Sequence, residues 1–364
     1  MNNLESFKNV PNLEKNSFNF LRLFCCLVVL YEHCVVLSGV NLPCFNLRGI
    51  AVNVFFILSG FWVTLSFCKS SSIKNYFFKR AKKILPQYWL VVILSAVLLF
   101  NFSSLNFKEY FCNSGFYKYL FANILTLNFI HPNLPGVFEG LALSGSVNGS
   151  LWTIKIELAF YIVLPLVILL ARKLSFKDNG GGYNCIVLLV LYVFSVLYEV
   201  LMPFVTEKTF LPSALNNQFP AFLSYFVSGM AFALFCEKLF SLLKIAFVPS
   251  LVLVVVLKVF NIPVVSSFLM PISLTVCVMF LGTHLKIFNN IGRKTDFSYS
   301  IYLVHYPLAM CFIWCGLFSV KPIFAILSVL GVSFLCAYLL ETLQKKLFSK
   351  KVEVLCEQKS EAEK

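Results

Sequence analysis

The sequence predicts an all-α membrane protein: a polytopic bundle of about ten transmembrane helices with both termini cytoplasmic. Three observations carry this. Of 364 residues, 59% are hydrophobic and the mean hydropathy is +0.83; no water-soluble domain hides that much apolar surface. Charged residues make up only 13%, about half the usual share, and they gather between apolar runs. The runs themselves have the ~20-residue length that crosses a hydrocarbon core.

In chain order the runs are 18–40, 49–68, 84–101, 151–171, 184–201, 218–236, 240–257, 262–282, 298–319 and 322–341. The first follows a polar start (Asn2, Asn3, Glu5, Lys8) and is long enough to span, so no cleavable leader is expected. Between the third and fourth runs lies the longest connection, 102–150. Its apolar stretch 119–130 is too short to cross and predicts a re-entrant or interfacial helix. The fourth run contains Lys155 and Glu157 and is a poor span by hydropathy alone. Pro249, Pro263 and Pro271 blur the split within 240–282. The organisation expected is a membrane domain over 1–341 and a short charged cytoplasmic tail over 342–364, with no large domain outside the membrane. No internal repeat is evident.

The basic residues orient the bundle, because cytoplasmic loops carry the excess of Lys and Arg. With the N-terminus inside, inner segments hold Lys69, Lys74, Lys79, Arg80, Lys82 and Lys83, then Arg172, Lys173 and Lys177, then Lys286, Arg293 and Lys294. The tail adds Lys345, Lys346, Lys350 and Lys351. Outer loops hold only Arg48, Lys108, Lys118, Lys208, Lys258 and Lys321. This distribution explains the net charge of +14 as membrane topology, not nucleic-acid binding. The thirteen cysteines show no CxxC spacing. Most fall inside apolar runs and read as small buried residues, so neither a metal site nor a disulfide framework is expected. Cys44 and Cys112, in outer loops, are the one pair that could join.

Four constellations carry ionisable or hydroxyl groups into the membrane, where such residues usually face a cavity or a partner. Arg22 and His33 lie eleven residues apart in the first run, which puts them on one helix face ~16 Å apart. A neutral imidazole is a good general base. Glu32 is adjacent in sequence, points about 100° away and cannot orient it. Arg80 and Lys83 share a face at the inner end of the third run. By themselves they suit a topological anchor; a guanidinium with an ammonium also suits phosphates. In the segment from Asn148 through Tyr161, the residues Ser150, Glu157 and Tyr161 share a face, and Lys155 points elsewhere. In the ninth run Ser298, Tyr302 and His305 form one stripe.

These residues resemble the acyltransferase-3 family, integral-membrane O-acyltransferases that modify bacterial surface glycans. The resemblance covers nearly the whole chain. It rests on Phe20-Leu-Arg22 followed by Val28-Val-Leu-Tyr-Glu-His33, an arginine-ten-residues-histidine signature. It continues through Val54-Phe-Phe-Ile-Leu-Ser59-Gly60-Phe61 and Arg80 with Pro86-Gln-Tyr88. Leu151-Trp152 with Glu157, Phe160-Tyr161 and Pro165 follow, then Ser298-Tyr299 and Tyr302-Leu-Val-His305 with Pro307. The chain departs from the pattern at Asn19, Leu23 and Asn53, and Lys83 stands where a second arginine is usual.

The resemblance implies transfer of a small acyl group, usually acetyl from acetyl-coenzyme A in the cytoplasm. The acceptor would be a hydroxyl of a lipid-linked or cell-surface saccharide, reached on the far side of a bacterial inner membrane. It implies that His33 works on the acceptor hydroxyl, as general base or by taking the acyl group covalently. Glu157 would orient a histidine or the sugar. Arg80, Lys83 and Arg22 would hold the coenzyme's phosphates or steer its arm into the bundle, Arg22 being also one candidate to stabilise the oxyanion of the reaction, and Ser298, Tyr302 and His305 would line the donor path. Partners are then the acyl donor, the saccharide and membrane lipids, with no nucleic acid. A transporter or flippase is the competing class; paired half-helices or a two-fold repeat would favour it.

Overall fold

The computed structural model describes residues 13, 15–141, 146–175 and 183–362, with side chains through 346. Asn2, Asn3, Glu5, Lys8 and Lys177 lie outside the described residues, as do the side chains of Lys350 and Lys351. The protein is an all-α polytopic bundle. Among the described residues the only β pairing is one isolated bridge, Ser103 to Val137.

Among the described residues thirteen α-helices follow in order: α1 Phe18–Ser38, α2 Arg48–Cys68, α3 Ile73–Leu98, α4 Phe107–Phe111, α5 Ser114–Ile124, α6 Trp152–Lys173 and α7 Cys185–Lys208. The remainder are α8 Phe219–Leu234, α9 Cys236–Phe260, α10 Pro263–His284, α11 Ser298–Trp314, α12 Leu317–Val320 and α13 Pro322–Ala362. Each predicted run has its helix. Eight helices among the described residues are long and apolar enough to cross a membrane: α1, α2, α3, α6, α7, α9, α10 and α13. The other two runs form α8 and α11, of 16 and 17 residues, at or below the short end of the spanning range.

Three features differ from expectation. The third helix begins at Ile73, eleven residues before its apolar run. Lys and Arg are good helix formers, so the helix continues through the basic stretch that hydropathy cannot see. The fourth run is a full span: its best window has mean hydropathy 2.3 despite Lys155 and Glu157. In the long connection 102–150, α5 begins at Ser114 because the Asn113 side chain accepts from the Gly115 amide and caps it. It ends at Ile124, and Thr126 follows at φ +62°.

The chain divides into two compact units. The first gathers 1–25, 48–80 and 153–293, and the second 26–47, 81–152 and 294–364. In the first unit α2 packs along α8 at very short range. A Cβ on Gly60 would sit 2.1 Å from the Phe226 carbonyl oxygen, and one on Gly229 would sit 2.1 Å from that of Ile57. Each glycine thus admits the other helix's backbone, the usual device for tight crossings in lipid. Phe160 stacks on Phe226 beside this crossing at 4.2 Å. The α9–α10 turn is made by Asn261 in the left-handed region, with Pro263 opening α10. Ile245, Val252 and Val259 of α9 are exposed, an apolar face suited to lipid.

In the second unit α11 packs on α13, and α5 lies against α3, where the Trp89 indole donates to the Ile124 carbonyl at 2.9 Å. Cys44 and Cys112 are both free thiols, so the pairing considered for them is not formed.

Candidate active site

His33 on α1 meets His305 on α11 inside the second unit. His33 Nδ1 lies 2.9 Å from His305 Nε2, with the rings 5.1 Å apart and 16° from parallel. His305 is fully buried. Its other nitrogen, Nδ1, lies 2.8 Å from the Tyr302 carbonyl and 3.3 Å from that of Ile301. Tyr306 closes on His33 edge to face at 5.3 Å. Gly149 makes room for that ring, since a Cβ there would lie 2.8 Å from Tyr306.

The segment before α6 fastens α11. Asn148 Nδ2 donates to the Leu303 carbonyl at 2.7 Å, and Ser150 Oγ donates to Asn148 Oδ1 at 2.6 Å. The Tyr302 hydroxyl reaches the Ser150 carbonyl at 3.4 Å. Ser298 Oγ donates to Asp296 Oδ1 at 2.6 Å, which closes the entry of α11. Of the predicted stripe, Ser298 and Tyr302 therefore hold the helix in place, and His305 contacts His33. Glu32 is buried and accepts from the Leu47 amide at 2.7 Å.

Arg22 shares α1 with His33, three turns earlier; both side chains are half-buried and neither is wholly presented to lipid. Arg22 Nη1 donates to Asn19 Oδ1 at 3.0 Å.

A second cluster forms within the first unit. Glu157 Oε1 accepts a short hydrogen bond from Tyr161 and a longer one from Ser59 Oγ at 3.4 Å. Tyr161 is one turn beyond Glu157, so helical spacing alone brings them together. The Tyr76 hydroxyl donates to the Tyr161 carbonyl at 3.0 Å. On the same helix as Tyr76, Arg80 turns inward: Nη2 donates to Ser66 Oγ at 3.2 Å, and its buried Nε has no hydrogen-bond partner. Lys83, three residues on, is exposed. Lys155 points away from Glu157 and donates to Gln218 Oε1 at 2.8 Å.

One polar cluster escapes the sequence. In the second unit Gln87 Nε2 donates to Glu341 Oε1 at 2.7 Å, and Ser300 Oγ donates to Gln87 Oε1 at 2.8 Å. Gln87 and Glu341 each stand at the edge of an apolar run, 254 residues apart, and no spacing rule joins them.

Apolar helices that carry ionisable side chains inward define a multi-pass membrane protein with an internal polar site. The chain belongs to the acyltransferase-3 family, whose model, described as "Acyltransferase domain", matches residues 15–342. It is 29% identical over 177 residues to nodulation protein 10 of Rhizobium leguminosarum bv. viciae, covering 44% of this chain and 46% of that protein. It is 28% identical over 185 residues to the O-acetyl transferase of Shigella phage Sf6, covering 50% and 51%. Acyltransferase MdmB of Streptomyces mycarofaciens matches at 27% over 132 residues, covering 36% and 31%. The matches thus span about half the length of the first two relatives and less of the third. No solved structure matches the chain.

Proposed function

We propose that this protein is a membrane O-acyltransferase. It moves an acetyl or other small acyl group from cytoplasmic acyl-coenzyme A to a hydroxyl of a cell-surface or lipid-linked glycan, in a bacterial inner membrane with both chain ends inside. The observation that carries this reading is the His33–His305 pair, an imidazole with a defined partner inside an apolar bundle. The family, and a relative whose name is O-acetyl transferase, support it.

In this reading His33 removes the proton from the acceptor hydroxyl. The oxygen attacks the thioester carbonyl carbon, the carbon–sulfur bond breaks, and the proton passes to the departing thiolate. The tetrahedral species carries an oxyanion that needs a donor. Glu157, pinned by Tyr161 and Ser59, presents a carboxylate to sugar hydroxyls or to the orienting of a base. Arg80, Lys83 and Arg22 bind the donor's phosphates; the unspent Nε of Arg80 is the hydrogen-bond donor that a phosphate oxygen takes.

Arg80→Ala is accordingly expected to raise the apparent KM for acetyl-coenzyme A by about 10–100-fold, the worth of one or two charge-assisted hydrogen bonds, and to lower kcat much less. Lys83→Ala, at an exposed position, is expected to have a smaller effect. Initial rates against donor concentration check both, and an unchanged KM for Arg80→Ala contradicts phosphate contact.

The whole reading is tested by mass spectrometry of the cell's surface glycans with and without this chain. The expected result is a mass difference of one acyl group, in the first place acetyl. Glycans identical in acylation overturn the reading, and movement of intact glycan across the membrane in their place marks a transporter.

A further inference from the structure

We infer that His305 is a positioning residue that fixes the tautomer of His33, and that Nε2 of His33 is therefore the nitrogen that takes the acceptor proton. This rests on the reading of His33 as the base, and it goes beyond it by assigning each nitrogen a role.

His305 Nδ1 faces two carbonyl oxygens, Tyr302 at 2.8 Å and Ile301 at 3.3 Å. A lone pair aimed at two carbonyls is repelled, so that nitrogen carries the hydrogen and donates. A fully buried ring without exposure to water is held neutral by the cost of desolvating its charge. A neutral His305 with hydrogen on Nδ1 has a bare Nε2, which is an acceptor. That acceptor is 2.9 Å from His33 Nδ1. His33 must then be the donor across this contact, with its hydrogen on Nδ1. The remaining lone pair of His33 is on Nε2, the far edge of the ring.

The chain of donors therefore runs from His33 Nδ1–H to His305 Nε2, and from His305 Nδ1–H to the Tyr302 carbonyl. It ends on backbone that cannot move without α11. Tyr302 is itself tied to the segment before α6 through Ser150, and the neighbouring Leu303 carbonyl through Asn148. When His33 Nε2 takes the proton from the acceptor hydroxyl, the new oxygen–carbon bond forms and the thioester carbon–sulfur bond breaks. The resulting imidazolium still donates from Nδ1 to His305. The proton on Nε2 then goes to the thiolate, and both rings return to their starting form. The orienting partner is a neutral imidazole, where many hydrolases use a carboxylate.

The test reads the tautomers directly. The chain has four histidines, so 15N-histidine labelling of the full protein in lipid bilayers gives a sparse spectrum. His33→Gln and His305→Gln variants assign it. The expected result is hydrogen on Nδ1 and a bare Nε2 in both rings. Hydrogen on Nε2 of His33 overturns the inference. This outcome does not depend on activity, so it separates the inference from the functional reading, which fails if the wild-type protein transfers no acyl group.

Kinetics give the second readout. His305→Ala should lower kcat by about 100-fold, the scale of a misplaced catalytic group, with the KM for acetyl-coenzyme A near wild type. His305→Gln keeps an acceptor oxygen for His33 and should recover part of the loss. Equal losses in Ala and Gln, or a change confined to KM, contradict a positioning role.

Discussion

His33→Ala is expected to lower acyl transfer by at least about 10²–10⁴-fold, the usual contribution of a general base. The protein should still insert and accumulate. The half-buried ring is removed from one helix face, and the main structural cost is an unpaired His305 Nε2, about 1–3 kcal/mol. His33→Gln separates the two effects. Its side-chain amide can still donate to His305, yet it cannot accept a proton near neutral pH. Both variants should therefore be inactive, with the glutamine variant closer to wild type in thermal stability. Rates of acetyl incorporation, normalised to the protein in the membrane, decide this. A well-expressed His33→Ala protein at normal rate would remove His33 from the chemistry.

Gly229→Leu is expected to have the largest effect on the fold. The alanine carbon alone would stand 2.1 Å from the Ile57 carbonyl oxygen. That neighbour is backbone, and it cannot rotate away as a side chain does. The two helices must separate, and in doing so they disturb the Phe160–Phe226 stack and the mid-helix position of Ser59 beside Gly60. Overpacking usually costs about 1–3 kcal/mol, and here it falls on both helices of the crossing. Gly229→Ala and Gly60→Ala should lower the apparent Tm in detergent, and Gly229→Leu should fail to yield a monodisperse protein. Gly49→Ala, on the same α2 with nothing within 4 Å, is the control. It should be neutral or slightly stabilising, by up to about 1 kcal/mol. Equal melting of the Gly229→Ala and Gly49→Ala proteins contradicts the tight crossing.

The helices were legible in the sequence because a bilayer demands long apolar segments, and length survives without any tertiary information. What hydropathy missed is where polar residues continue a helix, as at Ile73–Leu98, or where a cap decides its start, as at Asn113. In the site, local pairs were legible and distant ones were not. The Glu157–Tyr161 bond follows from one turn of α6. His33 and His305 each stand out as ionisable groups in apolar runs, but 272 residues separate them, and only packing of α1 on α11 unites them. The inward turn of Arg80 and the exposure of Lys83 were equally hidden. Their spacing puts them on one face, while the burial of that face depends on where the neighbouring helices end.

The most direct measurement of the proposed reaction uses the purified protein in sealed vesicles. Acetyl-coenzyme A labelled in the acetyl group is placed on one side only, and a saccharide acceptor is enclosed on the other. The account predicts labelled ester on the enclosed saccharide with wild-type protein, and a loss of about 10² or more with His33→Ala. Label that stays with the coenzyme in the presence of well-folded wild-type protein and saccharides of the host's own surface would contradict it.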